Sequence, residues 1–337
     1  MAQAQKPNWQ YPLAAPPLKD GKPRIEGDLL ARWQKVTVQI HELATANGWS
    51  KAEASRRADM VNGTFNQIYD GTYAGNFESF IEKLENWIAS STAMNALIDI
   101  MPVEPAFVMT KTAQRIMQGL QYAQAAPEMV TISTGAGCGK SSVCRHFRDT
   151  SPHAYLVTMR PRTKSTHNML SEIAHELKIK KGAVDMLDRN IGEKLRRNGQ
   201  KPILIIDEAQ NLTNEAIDQL RYLLDVYECG IALVGNDEIY TRFAQKNGPS
   251  FAQLRRRIGM RINITRVAPE DIEAMIAAWR VEDEDIAGLL RAIGNKPGAL
   301  GHITKTMQLA GMIANGEGRP LTARDVQQAW SNRGAEG

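Results

Sequence analysis

Met129-Val130-Thr131-Ile132-Ser133-Thr134-Gly135-Ala136-Gly137-Cys138-Gly139-Lys140-Ser141-Ser142 is the stretch whose reading decides the fold. Its apolar beginning, Met129 to Ile132, reads as a buried strand; Gly135, Gly137 and Gly139 read as a turn. Lys140 and Ser141 then open a helix. Strand, glycine-rich turn and helix together form the context of a phosphate-binding loop spanning Thr134, Gly135, Ala136, Gly137, Cys138, Gly139, Lys140, Ser141 and Ser142. Glycines let backbone N–H groups converge on an anion, and the helix N-terminus adds the positive end of its dipole. The Lys140 ammonium is placed to reach outer phosphates, and the Ser141 hydroxyl to ligate Mg²⁺. The strict pattern has glycine six residues before the lysine. Here that position is Thr134, with Gly135 one later, so the loop entry differs.

A second half lies downstream. Pro202-Ile203-Leu204-Ile205-Ile206-Asp207-Glu208 is a continuous apolar run ending in two acids. It reads as a central parallel strand that delivers carboxylates at its C-terminal edge, where α/β sheets bind ligands. Asp207 is then expected to hold the Mg²⁺ shell and Glu208 to polarise the attacking water. The plainer alternative is a strand running into a helix cap that uses acids for dipole reasons. The upstream phosphate loop weighs against it.

The 337 residues suffice for about two domains and a tail. Hydrophobic content of 43% and charge of 23% are those of an ordinary soluble globular protein. A net charge of +4 permits nucleic-acid binding without demonstrating it. Cys138, Cys144 and Cys229 show neither metal spacing nor a disulfide framework, which points to reduced thiols in a cytosol. No apolar stretch approaches membrane-spanning length, and no signal-peptide core is present, so no membrane partner is expected.

Residues 1–26 carry five prolines and read as a flexible arm. Residues 27–92 read as helical. Leu29, Leu30, Trp33, Val36, Ile40 and Leu43 supply a first helix or helix pair, and Ser50 is placed to cap a short helix after Gly48. Asn62-Gly63 breaks that helix from another, Thr64 to Tyr69, which suggests a helix-turn-helix. In that reading Thr64, Asn66, Gln67 and Tyr69 face a DNA groove, while Lys51, Arg56 and Arg57 touch phosphates. A small helical bundle that binds protein is the alternative. Phe77 to Ile88 follow the spacing of a packing helix, and 93–110 read as a linker.

From 111 to 265 strands and helices alternate, with strands expected at Val130–Ser133, Ala154–Thr158, Ile203–Asp207, Ile231–Val234 and Arg261–Ile264. The expected fold class is α/β, a parallel five-stranded sheet with helices on both faces. Asn236, after the fourth strand, is placed either to orient the attacking water or to form a Gly-Asn turn. Arg255, Arg256 and Arg257 are more arginines than one nucleotide needs in its own subunit. Arg257 reads either as reaching a neighbour's phosphates or as a solvated or DNA-contacting residue. Two basic stretches, Arg160-Arg162-Lys164 and Arg189-Lys194-Arg196-Arg197 with Lys201, suit a DNA backbone or a solvated helix face equally. Residues 266–332 read as four helices forming a lid, and 333–337 as a tail.

With these residues in place, the chain from about Trp33 to Trp330 resembles the phage Mu target-capture ATPases and their transposon relatives of the TnsC and IstB kind, within the AAA+ superfamily. The resemblance rests on Gly137-Cys138-Gly139-Lys140-Ser141, Ile205-Ile206-Asp207-Glu208-Ala209, Leu233-Val234-Gly235-Asn236 and Lys296-Pro297-Gly298-Ala299-Leu300. It implies an AAA+ P-loop NTPase with a C-terminal helical lid and an N-terminal all-α helix-turn-helix domain. Lys140 is then the phosphate ligand, Ser141 and Asp207 hold Mg²⁺, Glu208 is the catalytic base and Asn236 the first sensor. Arg257 becomes the finger acting in trans, with Arg256 or Arg261 as substitutes. Gly301 stands where a second-sensor arginine is expected, which leaves either weak lid sensing or Lys296 as stand-in. The resemblance further implies ATP and Mg²⁺ as cofactors and an ATPase stimulated by DNA and transposase. Such proteins form ATP-dependent homo-oligomeric filaments or rings on double-stranded DNA. They deliver that DNA to a DDE transposase in the cytoplasm of a bacterial host. Alternatives are a helicase loader on the same scaffold, or a DNA-binding regulator whose nucleotide pocket is structural.

Overall fold

In the computed structural model, the described residues are 9–179, 186–197, 201–239 and 257–334. The chain forms two compact units, residues 1–100 and 101–337. Among the described residues no helix is long and apolar enough to cross a membrane.

The first unit is helical: α1 (Gly27–Asn47), α2 (Lys51–Arg57), α3 (Asn62–Tyr69) and α4 (Phe77–Ile100). Apolar residues at helical spacing make α1 one continuous helix. Trp33, Val36, Ile40 and Ala44 are buried along one face against Phe65, Ile68, Ile81 and Leu84. Gly48 ends α1 in the left-handed region at φ 67°. Ser50 caps α2, accepting from the Glu53 N–H. The Trp33 indole donates to the Ile68 carbonyl at 2.7 Å, tying α1 to α3 without leaving a buried N–H unpaired.

Three expectations need correction here. The arm is not loose over its described part. Trp9 is buried, packs edge-on against Tyr69 and Phe65, and donates its indole N–H to the Trp49 carbonyl at 2.6 Å. Ile25 is buried as well. Tyr69 does not face outward: it is buried, and its hydroxyl donates to the Gln10 carbonyl at 2.9 Å. The aromatic at the end of a short amphipathic helix went to the core because the arm supplied a partner. Finally, α4 runs to Ile100, so residues 93–100 are helix rather than linker. No glycine or proline interrupts 77–100, so nothing stops the helix before Pro102. Trp9→Ala should therefore cost this unit about 3–5 kcal/mol in calorimetric unfolding of the full chain. A loss below about 1 kcal/mol would mean that the arm is not part of the core.

The second unit holds a parallel sheet in the order β2-β3-β4-β1-β5. Its strands are β1 (Met129–Thr134), β2 (Ala154–Thr158), β3 (Ile203–Asp207), β4 (Gly230–Gly235) and β5 (Ile258–Ile264). Strand residues alternate between two cores, as the pleat requires. Val130, Ile132, Ile203, Ile205, Ala232 and Val234 pack under α5 (Lys111–Ala125) and α6 (Lys140–Thr150). Leu204, Ile206, Ile231 and Leu233 face α7 (Thr166–Glu176), α8 (Leu187–Arg196) and α9 (Asn214–Tyr227). β5 starts three residues before the expected Arg261, at Ile258, through a register shift against Met129 and Val130. Its alternating exposure is that of an edge strand, and the charged Arg257-Ile258-Gly259 entry hid its start.

The lid helices are α10 (Pro269–Ala278), α11 (Glu284–Gly294), α12 (Ala299–Gly316) and α13 (Ala323–Asn332). They pack around Ile276, Leu290, Ile303, Ala310 and Val326. Asp271, fully buried, joins lid to sheet unit by accepting from the Thr112 N–H at 3.3 Å. Arg319 grips Asp325 with two hydrogen bonds of 2.7 and 2.8 Å, and holds that carboxyl well below the usual carboxylate range. A depressed carboxylate stabilises the fold above its unfolded value and loses that contribution as pH falls. The lid should therefore loosen in acid, below about pH 4.

Candidate nucleotide-binding site

β1 ends at the sheet's interior, between β4 and β5, so the loop that follows emerges where an open α/β sheet forms its ligand crevice. Gly137 sits at φ 76° and Gly139 at φ 83°, backbone that side-chain-bearing residues avoid. At Gly137 space is also decisive. A Cβ there would lie 1.9 Å from the carbonyl oxygen of Gly298, at the start of the lid helix α12. The phosphate loop and the lid therefore touch backbone to backbone. Gly139 immediately precedes α6, whose first residue is Lys140.

Four polar side chains meet at this point. Ser141 Oγ donates to Asp207 Oδ2 at 2.8 Å. Lys140 Nζ lies 2.8 Å from Glu208 Oε1. Asp207 is buried at the end of β3, and its Oδ1 accepts the Glu208 N–H at 2.9 Å. Glu208 itself occupies the left-handed region at φ 56°, a strained turn of the kind that clusters at functional sites. Burial pushes the Glu208 carboxyl up. Hydrogen bonds from Lys140 and Gln210, and the lysine's charge, outweigh it and leave the group below its ordinary value.

The donor set fits Mg²⁺. A hydroxyl and a carboxylate are hard oxygen ligands, and Mg²⁺ is usually held by one or two protein oxygens plus phosphates and water. Among the described residues no cluster of three or more His, Cys, Asp or Glu suggests a closed metal cage instead. Thr134 Oγ1, buried at the loop entry, has no hydrogen-bond partner. Burial, reinforced by Asp271 and Asp237, pushes the Cys138 thiol up, so this cysteine serves as a small buried residue of the loop.

A cavity of about 670 Å³ opens beside the loop. One wall, residues 104–110, was read as plain linker. Phe107 stacks on His146 of α6 at 3.9 Å between ring centroids, and Gln308 of α12 donates to Glu104 at 2.6 Å. No local motif marks this wall, because its partners are more than 35 residues away in sequence. The opposite wall is α12. Gly301 lines it, and its Cα would carry a Cβ only 3.9 Å from Gly137. Lys296 does not line the cavity: its ammonium lies 5.6 Å over the Trp330 ring. The cation on this wall is Lys305, one turn beyond Gly301.

Gln210 is the residue that the sequence reading missed. Its Nε2 donates to Glu208 Oε2 at 2.5 Å, while its buried Oε1 has no hydrogen-bond partner and lies against Gly235. It thus orients the carboxylate and lowers its pKa. Gln210→Leu should remove that support, raise the Glu208 pKa and move the acidic limb of the ATPase pH profile upward, with kcat down about tenfold. An unmoved acidic limb would contradict this positioning role.

The remaining predicted residues are dispersed. Asn236 Oδ1 accepts the Glu238 N–H at 3.0 Å, which is the turn geometry, and its carbonyl accepts from Ser133 Oγ at 3.2 Å. Arg257 is exposed and pairs with Asp225 at 3.4 Å; Arg255 and Arg256 lie outside the described residues. Ser142 is exposed and accepts from Arg145 at 3.3 Å. In the helical unit, Thr64 and Asn66 are half-buried and Gln67 is exposed. Lys51 pairs with Asp70 at 2.8 Å, Arg57 with Glu53 at 2.9 Å, and Arg56 also with Glu53. Arg160 pairs with Glu172 at 3.1 Å, beside exposed Arg162 and Lys164. On α8, Ile191 and Leu195 are buried while Arg189, Lys194 and Arg196 are exposed, as is Arg197 at its C-cap, with Arg189 and Arg197 sharing Glu193.

Comparison with known proteins adds independent findings. A family model described as "Mu B transposition protein, C terminal" matches residues 256–332, and an "AAA domain" model matches 125–243. The chain is similar to "ATP-dependent target DNA activator B" of Escherichia phage D108, 30% identical over 276 residues, covering 80% of this chain and 86% of the relative. The protein of the same name from Escherichia phage Mu gives the same identity and coverage. Among solved structures, Cdc6p from Pyrobaculum aerophilum superposes with a TM-score of 0.54 at 17% identity, over 69% of this chain and 70% of that one. That likeness concerns the fold, and the α/β class read from the sequence is the AAA+ fold.

Proposed function

Since this chain belongs to the Mu B family of phage transposition proteins, we propose that it is an ATP-dependent DNA-binding ATPase of transposition. In this reading it assembles on duplex DNA with little sequence preference and delivers that DNA as target to a DDE transposase. The observation that carries the proposal is the convergence of Lys140, Ser141, Asp207 and Glu208 within hydrogen-bond distance of one another, at the mouth of a glycine turn.

Each residue has one task. Backbone N–H groups of the loop and α6 bind the phosphates, and Lys140 exchanges Glu208 for their outer oxygens. Ser141 and Asp207 would hold Mg²⁺, which would supply positive charge against the phosphates when bound. Glu208, freed from the lysine, accepts a proton from the attacking water, with Gln210 fixing its second oxygen. Asn236 helps orient that water. Arg257 leaves Asp225 to reach a neighbouring subunit's nucleotide. Lys305, rather than Lys296, senses the nucleotide from the lid. The phosphate loop's backbone contact with Gly298 couples site occupancy to lid position.

DNA contacts are assigned to the helical unit and to the exposed cations of residues 160–164 and α8, through sequence-independent phosphate pairing. Electron microscopy of the chain on duplex DNA tests the assembly step. Filaments or rings are expected with ATP and Mg²⁺ and not with ADP; identical dispersed particles in both would end the assembly reading.

A further inference from the structure

We infer that the N-terminal arm carries a phosphate-binding wing for duplex DNA, formed by Lys19 and Lys22. This rests on the DNA-binding reading above and adds a surface that neither the helix-turn-helix expectation nor family membership assigns.

Residues 19–22 form a minimal hairpin. The Lys19 N–H donates to the Lys22 carbonyl and the Lys22 N–H to the Lys19 carbonyl, both at 2.9 Å. The two central residues, Asp20 at φ 52° and Gly21 at φ 75°, are both left-handed, the geometry of the tight hairpin turn that Asp-Gly favours. A residue pair that exchanges both hydrogen bonds projects its side chains on the same face. Here that pair is two exposed lysines. Like charges placed directly opposite destabilise a hairpin. Among the described residues neither lysine has an ion-pair partner. The fold thus holds two cations side by side at a cost that an anion would offset.

The hairpin is anchored rather than loose. Pro16 packs against Gly71, directly after α3, so closely that a Cβ on that glycine would lie 2.7 Å from the Pro16 backbone. Arg24 spends its guanidinium on the arm and on the segment that follows α3, donating to the Pro17 carbonyl at 3.1 Å and the Tyr73 carbonyl at 3.0 Å. Ile25 is buried just beyond. Between hairpin and segment lies an open cavity of about 580 Å³, lined by Lys19, Lys22, Arg24, Tyr73 and the one acid, Asp20. The lysine pair is therefore fixed beside the C-terminal end of α3, the helix expected to approach a DNA groove. A positive wing beside a groove-facing helix fits the phosphodiester backbone flanking that groove.

The test uses the full chain with ATP and Mg²⁺ and a short random-sequence duplex, binding being measured over a salt series. Lys19→Ala with Lys22→Ala should weaken binding about tenfold at low salt, and should make the slope of log K against log salt shallower by about 1.8, the value for two lost phosphate contacts. Lys19→Arg with Lys22→Arg should keep the wild-type slope. The alanine pair should melt no lower than the wild type, since it removes a repulsion. An unchanged slope in the alanine pair, or an equal loss in the arginine pair, would overturn the wing while leaving DNA binding intact. A wild-type chain without salt-dependent duplex affinity would instead overturn the DNA reading itself, and the wing with it.

Discussion

Glu208→Gln should abolish ATP turnover, slowing it by about 10²–10⁴-fold, while ATP and duplex DNA still bind. The substitution keeps the size of the side chain and its hydrogen-bonding reach but removes the proton acceptor. It also removes the ion pair with Lys140, 2.8 Å away, so the lysine is released to phosphate without competition. The expected phenotype is thus asymmetric, with a long-lived ATP-bound state and DNA complexes that fail to dissociate. Steady-state phosphate release and nucleotide affinity, measured on one preparation, separate the two effects. Unchanged, measurable turnover would mean that Glu208 is not the proton acceptor, and no turnover in wild type and variant alike would mean that the pocket is a structural ligand site and that the regulator reading is the correct one.

Gly137→Ala should weaken MgATP binding by roughly 10–100-fold, from strain of about 1–3 kcal/mol at a left-handed position. A Cβ there also falls 1.9 Å from the Gly298 carbonyl oxygen, so the loop or the lid must move. Because both partners are backbone, no side-chain rotation relieves the clash. The change leaves every charged residue of the site in place, which makes it a test of loop geometry alone. Nucleotide titration followed by fluorescence reads it directly. Wild-type affinity would show that the loop and lid do not need this contact.

The phosphate loop and the acidic strand end were legible because their signals are local: an apolar run, glycines at fixed offsets, and a lysine or acid at the strand's edge. The strand positions followed from the same runs: β1 and β4 run one residue further at each end than expected, and β5 begins three residues earlier, where a register shift and charged neighbours disguised an edge strand. What was not legible depends on distant partners. Trp9 became part of a core because Trp49, Phe65 and Tyr69 lie around it, more than 30 residues away in sequence. Phe107 became a cavity wall through His146, and Gln210 gained its role through the unusual backbone of Glu208. Lys296, in the turn before the missing second sensor, was read as its stand-in, yet helical periodicity puts Lys305 on the cavity face and leaves Lys296 over Trp330.

Coupling of the nucleotide pocket to DNA is most directly measured by fluorescence anisotropy of a labelled duplex titrated with the chain in ATP and Mg²⁺, in ADP, and without nucleotide. Tight binding is predicted in ATP alone, lost with Lys140→Ala and prolonged with Glu208→Gln. Equal affinity in all three conditions would contradict it.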